Sequence, residues 1–384
     1  MPNNRVLPRL GFLVLAFIIL FLTLLKVLLS VRSPTIAPMT TREDSESPSV
    51  RNFPLAVRGS LPYWDQQPAF NSFSTNVDRF RHISLFWYYM TEKGEVHKYA
   101  YAKEDRAIIE FAHANKVSVS AVITNLPDDP DAGWDSSRVE AVLEDPVRRT
   151  FLIGQISEKL SELGFDGVSI DYEAVDGGQR GPFSLFIKEL SGVLHKENKY
   201  VGVALHPKTG EKADERYRFQ DWRAIGQYAD YLYIMAYGEH WDGGSPGPIA
   251  SMPWVERISD YAIRARVPRK KVFLGIPLYG YDWEKGSNEE ALGLTYTDVQ
   301  RILGEYRVKE QWDPEAQTPY FIYENDGQTH EVWFENAKSV EAKVSLADRL
   351  GFGGVTFWRL GGEDPEVWEK LGQFTEPVLR PSAH

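Results

Sequence analysis

The sequence predicts an α/β fold, a (β/α)8 TIM barrel, on two observations: eight short β-rich runs, and helical patterns that alternate with them. The approximate strands are Ala56 to Tyr63, Ile83 to Tyr89, Val117 to Ile123, Gly167 to Glu173, Tyr200 to Leu205, Tyr231 to Tyr237, Val272 to Leu278 and Gly354 to Trp358. Apolar residues at helical spacing fill the intervals at Lys103 to Asn115, Val147 to Leu163, Phe183 to Lys196 and Val255 to Ala265, and Asn336 to Leu350 leads into the last strand. Eight strands with covering helices favour a closed barrel over an open doubly wound sheet. No Gly-x-Gly-x-x-Gly follows the first strand, so a dinucleotide site has no support.

One interval is too long for a single helix. From about Tyr281 to Trp333 the chain carries Tyr320-Phe-Ile-Tyr323, then Asn325-Asp326-Gly327, then His330-Glu-Val-Trp-Phe334. Asp-Gly between two β-rich runs is a strong hairpin signal. A small α+β insertion, about residues 282–334, is therefore expected between strands seven and eight, inside a barrel domain spanning 53–376 and followed by a tail, 377–384.

The 384 residues are 43% hydrophobic, which suits one large globular domain with a small addition. The first residues differ. Leu10 to Leu25 is apolar apart from Gly11 and Thr23, and Val27 to Val31 extends the run past Lys26. That makes roughly 22 residues, enough to cross a bilayer core about 30 Å thick. Arg5 and Arg9 precede it without acidic neighbours, which puts the N-terminus in the cytoplasm and the rest of the chain outside. Ser30-Val31-Arg32 is a poor cleavage site and the run is long for a signal peptide, so residues 1–32 read as an uncleaved, single-pass anchor in the cell membrane. Lys26 would snorkel to the outer interface. Residues 33–52, rich in Ser, Thr, Pro and charge, read as a flexible stalk spanning on the order of 25 Å.

The exported part carries 39 basic and 54 acidic residues, a net charge of −15. Such a surface does not recruit nucleic acid or anionic lipid. Without cysteine there are no disulfides, and stability must come from a large core.

The fourth run ends Asp166-Gly167-Val168-Ser169-Ile170-Asp171-Tyr172-Glu173. Side chains alternate along a strand, so Ser169, Asp171 and Glu173 share one face. Two carboxylates side by side raise at least one pKa, and a carboxylic acid kept protonated near neutral pH can donate a proton. Catalytic groups of such barrels come from the C-terminal ends of strands, where this pair lies. Taken alone, an Asp-x-Glu at a strand end is more often solvated or ion-paired than catalytic.

Three further segments strengthen the pattern: Tyr233-Ile-Met235-Ala-Tyr237, Leu274-Gly-Ile-Pro-Leu-Tyr279-Gly, and Gly354-Val-Thr-Phe-Trp358. With Asp166 to Glu173 they resemble, in order, the sixth, seventh, eighth and fourth strands of glycoside hydrolase family 18, the chitinase-like barrels, whose fourth strand reads Asp-Gly-x-Asp-x-Asp-x-Glu. The resemblance covers about residues 56 to 372. Val332-Trp-Phe-Glu335-Asn336 and Gly353 to Gly361 are most similar to the bacterial branch of spore-cortex and other peptidoglycan N-acetylglucosaminidases.

The resemblance implies a glycosidase that cleaves β-linked N-acetylglucosaminyl bonds, in peptidoglycan, chitin-like or other N-acetylated polysaccharide, by a substrate-assisted retaining mechanism. Glu173 would protonate the leaving oxygen and later activate water. The 2-acetamido carbonyl of the sugar would attack the anomeric carbon, with Asp171 orienting the acetamido N–H and offsetting the developing positive charge. Tyr237 would hydrogen-bond the acetamido carbonyl, and Met235 and Trp358 would pack the sugar. Tyr63, at the end of the first strand, joins them as a candidate sugar contact. A methionine and a tryptophan in a barrel are ordinary core on their own; the motif turns that reading around.

Two positions depart from the family pattern. Ser169 stands where many family members have aspartate and the peptidoglycan-acting branch often has asparagine; relative to the aspartate one buried negative charge is missing, and Asp171 should ionise more readily without a carboxylate to exchange its proton with. After Tyr237 comes Gly238-Glu239 in place of an aspartate, and Glu239 is expected to supply the acidic group one residue later. Trp64, Trp87, Trp241 and Trp283 are candidates for stacking sugar faces. The eight histidines are scattered without His-Glu-x-x-His, so neither metal nor cofactor is expected. Asp128-Asp-Pro-Asp131 reads as a turn rather than a calcium loop, and no Gly-x-Ser-x-Gly supports a serine hydrolase. The rival readings are a barrel that binds glycan without cutting it, and a trimming factor in polysaccharide synthesis or export. The oligomeric state stays open.

Overall fold

In the computed structural model, described at residues 54–129, 132–212 and 214–375, eight parallel strands close into a barrel. They are β1 (Ala56–Pro62), β2 (His82–Met90), β3 (Ser118–Thr124), β4 (Gly167–Asp171), β5 (Tyr200–Leu205), β6 (Tyr231–Ile234), β7 (Val272–Pro277) and β8 (Gly354–Trp358). Each pairs with the next, and β1 pairs with both β8 and β2, so no barrel strand has a free edge. All eight expected strands are present. The N-terminal apolar run, the stalk, the tail, and Pro130 with Asp131 of the acidic turn lie outside the described residues. Among the described residues no helix is long and apolar enough to cross a membrane.

Local chemistry sets the helix ends. In the helix Pro146–Leu163, the Asp145 carboxylate accepts from the Val147 and Arg148 N–H groups, Pro146 fills the first turn, and Gly164 stops the helix at φ +83°. Its inward residues Leu152, Ile156 and Leu160 are fully buried. Asp166, the first residue of the carboxylate motif, works at the opposite end of the barrel from the site. Its carboxylate accepts the Val119 N–H at 2.7 Å and sits 2.9 Å from His113 Nε2, tying β4 to β3. Asp230 repeats the device between β6 and β5, accepting the Val201 N–H beside His195. Gly167 is required by packing, since a Cβ there would lie 2.5 Å from the Tyr200 ring.

The long interval after β7 folds as expected into an α+β insertion. Its five-stranded sheet runs, by residue, 292–294, 280–284, 328–334, 318–325, 311–313, with the helix Tyr296–Tyr306 packed on it. Asp326 and Gly327 both take positive φ, 49° and 81°, between paired Asn325 and Gln328, the two-residue turn the sequence called for. Val299, Ile302, Phe321, Val332 and Phe334 give the insertion a core of its own.

Where the insertion returns to the barrel, Glu335 meets Lys343 of the helix Ala337–Arg349 at 2.8 Å, with both side chains fully buried. Burial pushes the Glu335 carboxyl up, and the ammonium pulls it back. Removing one partner would leave a lone buried charge, at a cost of about 3–5 kcal/mol, whereas removing both leaves none. Lys343→Met should therefore lower stability by roughly that amount in guanidinium unfolding, and adding Glu335→Leu should restore most of it; equal losses in the single and double variants would contradict this account.

Candidate active site

The C-terminal strand ends converge on a small cavity of about 40 Å3. Asp171 is the last residue of β4 and Trp358 the last of β8, while Met235 and Tyr237 follow β6; all four line it. By the 10–15 Å3 that one water needs, it has room for about three waters, which suits an acetamido group rather than a pyranose ring.

Two expected strands stop early, at Asp171 rather than Glu173 and at Ile234 rather than Tyr237. After β6, Met235 still donates to Leu205 O, but the Ala236 and Tyr237 N–H groups turn back to Ile234 O and Met235 O, each at 2.8 Å. Past β4 the ladder is replaced by a side chain. Asn125 Oδ1 accepts the Glu173 N–H and Asn125 Nδ2 donates to the Glu173 carbonyl, both at 2.9 Å. An amide side chain offers the donor and acceptor that a neighbouring peptide would, so Glu173 is held as if the strand continued. Ala174 then leaves at φ +54°. Strand alternation thus explains Ser169 and Asp171, whereas Glu173 depends on Asn125.

The two carboxyl groups differ in environment. The Asp171 carboxyl is raised well above the usual range, first by burial, then by the Glu173 charge, with the Arg58 guanidinium pulling the other way. Serine at 169 spares Asp171 a second neighbouring carboxylate, yet desolvation by itself holds its carboxyl above the ordinary aspartate range. The Tyr237 hydroxyl is raised too, by burial and then by Asp171 and Glu173, which places it in the field of both. Glu173 is about a quarter exposed, with His206 Nε2 3.3 Å from its Oε2.

Ser169 is buried in the barrel interior. Its hydroxyl accepts from Arg58 Nη2 at 3.0 Å and lies 3.1 Å from Ser120 Oγ. Glu239 does not line the cavity; its Oε2 accepts the Ser251 N–H at 2.8 Å, at the start of the helix Met252–Arg264. Tyr63 stacks on Tyr99 with ring centroids 4.8 Å apart, outside the cavity lining. Of the tryptophans, Trp64 is 47% exposed and stands edge-on to Trp358 at 6.2 Å, and Trp241 is 56% exposed. Trp87 and Trp283 are corrected to core: Trp87 is fully buried with Nε1 on Gln66 Oε1, and Trp283 is 4% exposed in the insertion.

Arg58, His206 and Asn125 were not singled out from sequence. A His or Asn beside a strand end carries no periodic signal, and an Arg within a strand reads as outward-facing unless the barrel's closure is already known.

A closed barrel with two acidic groups of unlike environment at one strand end is the arrangement of a glycosidase. Residues 132–363 match the glycosyl hydrolases family 18, and the chain belongs to that family. YdhD of Bacillus subtilis, whose name describes it as a sporulation-specific glycosylase, is 32% identical over 292 residues, 74% of this chain and 67% of YdhD. The cortical fragment-lytic enzyme of the same organism is 28% identical over 67% of this chain and 60% of its own length. The structure of a chitinase from Chromobacterium violaceum superposes with a TM-score of 0.76 at 29% identity, covering 83% of this chain and 98% of that one.

Burial also makes Asp171 pH-sensitive for stability. Its folded pKa lies above the about 3.9 of an unfolded aspartate, so as pH rises past that value the unfolded chain ionises first and folding loses stability. Asp171→Asn should therefore melt higher than the wild type at pH 7, with the gap closing toward pH 3, in thermal unfolding followed across pH. A gap independent of pH would contradict it.

Proposed function

We propose that this chain hydrolyses β-linked N-acetylglucosaminyl bonds by a substrate-assisted retaining mechanism, with a cell-envelope glycan as its substrate. The observation that carries the reading is the acetamido-sized cavity walled by Asp171, Tyr237, Met235 and Trp358. A sugar bound over Trp358 would lower its 2-acetamido group into that space.

In the free enzyme the proton of the carboxyl pair would sit on Asp171, whose buried carboxyl is raised well above the ordinary aspartate range. Two changes on substrate entry favour moving it. The acetamido N–H donates to Asp171 and stabilises its anion, and the covering sugar takes water from the quarter-exposed Glu173, which disfavours a charge there. The proton passes to Glu173, which donates it to the leaving glycosidic oxygen. The acetamido oxygen, oriented by the Tyr237 hydroxyl, forms a bond to the anomeric carbon as the glycosidic bond breaks. The Asp171 anion faces the resulting oxazolinium cation. Water then attacks the same carbon, Glu173 takes its proton, and the ring opens with retained configuration.

Peptidoglycan is favoured because two similar proteins are named for sporulation and cortical-fragment lysis. Trp64 and Trp241, exposed at the same face, would stack further sugars. Reducing-end release from peptidoglycan, chitin oligomers and poly-N-acetylglucosamine tests the reading. Glu173→Gln should lower kcat by about 10²–10⁴-fold without changing the fold, and a thiazoline mimic of the cyclised intermediate should inhibit the wild type. Binding without release in the wild type would make the barrel a glycan-binding module instead.

The apolar run of residues 10–31, with Arg5 and Arg9 before it, supports an anchor in the cell membrane with the barrel on its outer side. After cell fractionation the full chain should stay with membranes through alkaline carbonate washing, and deletion of residues 1–32 should release it; a carbonate-soluble full chain would contradict the anchor.

A further inference from the structure

Arg58, the third residue of β1, is a cation inside the barrel, 6% exposed and paired in the ladder with Thr356 of β8. Its Nη1 donates to Thr356 Oγ1 at 2.9 Å, its Nη2 reaches across to Ser169 Oγ at 3.0 Å, and its plane lies over the Tyr233 ring at 3.8 Å. Among the described residues it forms no ion pair. A buried guanidinium held only by hydroxyls and a ring face costs stability, since an apolar side chain would fill the space without desolvating a charge. Fold alone therefore does not account for it.

Arg58 and Asp171 line the same cavity, and each brings to it a buried polar atom without a hydrogen-bond partner, Nε on one and Oδ1 on the other. Native interiors satisfy such atoms with ordered water where space allows, and about 40 Å3 allows roughly three. We infer that Arg58, linked to Asp171 through ordered waters in this cavity, is a positioning residue that supplies the counter-charge for the Asp171 anion, at the place where Ser169 has replaced the motif's carboxylate. A carboxylate at 169 would neutralise the guanidinium; a serine holds it by hydrogen bonding and leaves its charge available to Asp171.

The role rests on the hydrolytic reading above. When Asp171 gives its proton to Glu173 it becomes a buried anion, and Arg58 lowers the cost of that step. The other groups in its field are Glu173 on its own segment, Tyr237 beyond β6, Tyr99 after β2, and His206 through Glu173.

Three variants of the full chain test it. Arg58→Met should fold with a melting temperature at or above the wild type. Its Asp171 carboxyl, followed by 13C NMR, should titrate about one unit or more higher, and kcat should fall about tenfold or more with KM little changed. Arg58→Lys should recover part of both. Ser169→Asp, by pairing with Arg58, should move the titration in the same direction as Arg58→Met. An unshifted Asp171 titration in a folded Arg58→Met, or a high-resolution crystal structure with a dry cavity, would overturn the proposal. The carboxyl titration needs no turnover, so a wild type that cleaves no glycan would sink the hydrolytic reading while leaving this result to stand or fall by itself.

Discussion

A barrel closed by eight parallel strands has no free edge along its wall, so an interior polar group depends on partners inside it or on water held there. The interior obeys this with a layer of hydroxyls. Ser84 bonds Ser60 at 3.2 Å and Ser120 lies 3.1 Å from Ser169, while Thr356 and Ser169 take the two ends of the Arg58 guanidinium from β8 and β4. The C-terminal strand ends above this layer hold the carboxyl pair. The floor of the site is polar and charged, and the electrostatics above inherit its character.

Desolvation and like charge both act to keep a proton on Asp171; Arg58 is the opposing influence. Neither side can be removed without harm to a proton-transfer site. If burial alone acted, the Asp171 anion would be costly to form in the proposed cycle; in a wetter site, its carboxyl would fall back toward the ordinary aspartate range. The pair is useful because its environments differ: one group lies in the cavity wall, and the other is a quarter exposed at its rim.

Much of this was legible in the sequence. Parallel strands flanked by helices announce themselves as short β-rich runs at regular intervals, and Asp326-Gly327 fixed the insertion's hairpin because few other pairs accept two positive φ values. Asp171, Met235, Tyr237 and Trp358 could be placed together because a strand-end position in a barrel is a position at the site. What could not be read were side-chain partnerships between strands. Arg58 and Ser169 are 111 residues apart, and Asn125 and Glu173 are 48 apart. Parallel strands buried on both faces have no polar side to tell an inward arginine from an outward one. The tryptophans failed for a related reason: Trp87 and Trp64 both lie near strand ends, and only packing separates the core ring from the exposed one.

The missing continuation of β4 bears on how Glu173 would change charge twice in the proposed cycle without moving. If Glu173 lay within the strand, its orientation would be fixed by the ladder and its side chain confined between neighbouring strands. Instead its backbone is clamped at both polar groups by one side chain, while its carboxyl projects past the strand end toward His206. The clamp involves neither carboxyl oxygen, so it is indifferent to whether Glu173 carries a proton. Position is set by Asn125, and in the proposed cycle charge would be set by Asp171 and the substrate. Under the proposed mechanism, separating the two would let the same atoms serve first as acid and then as base.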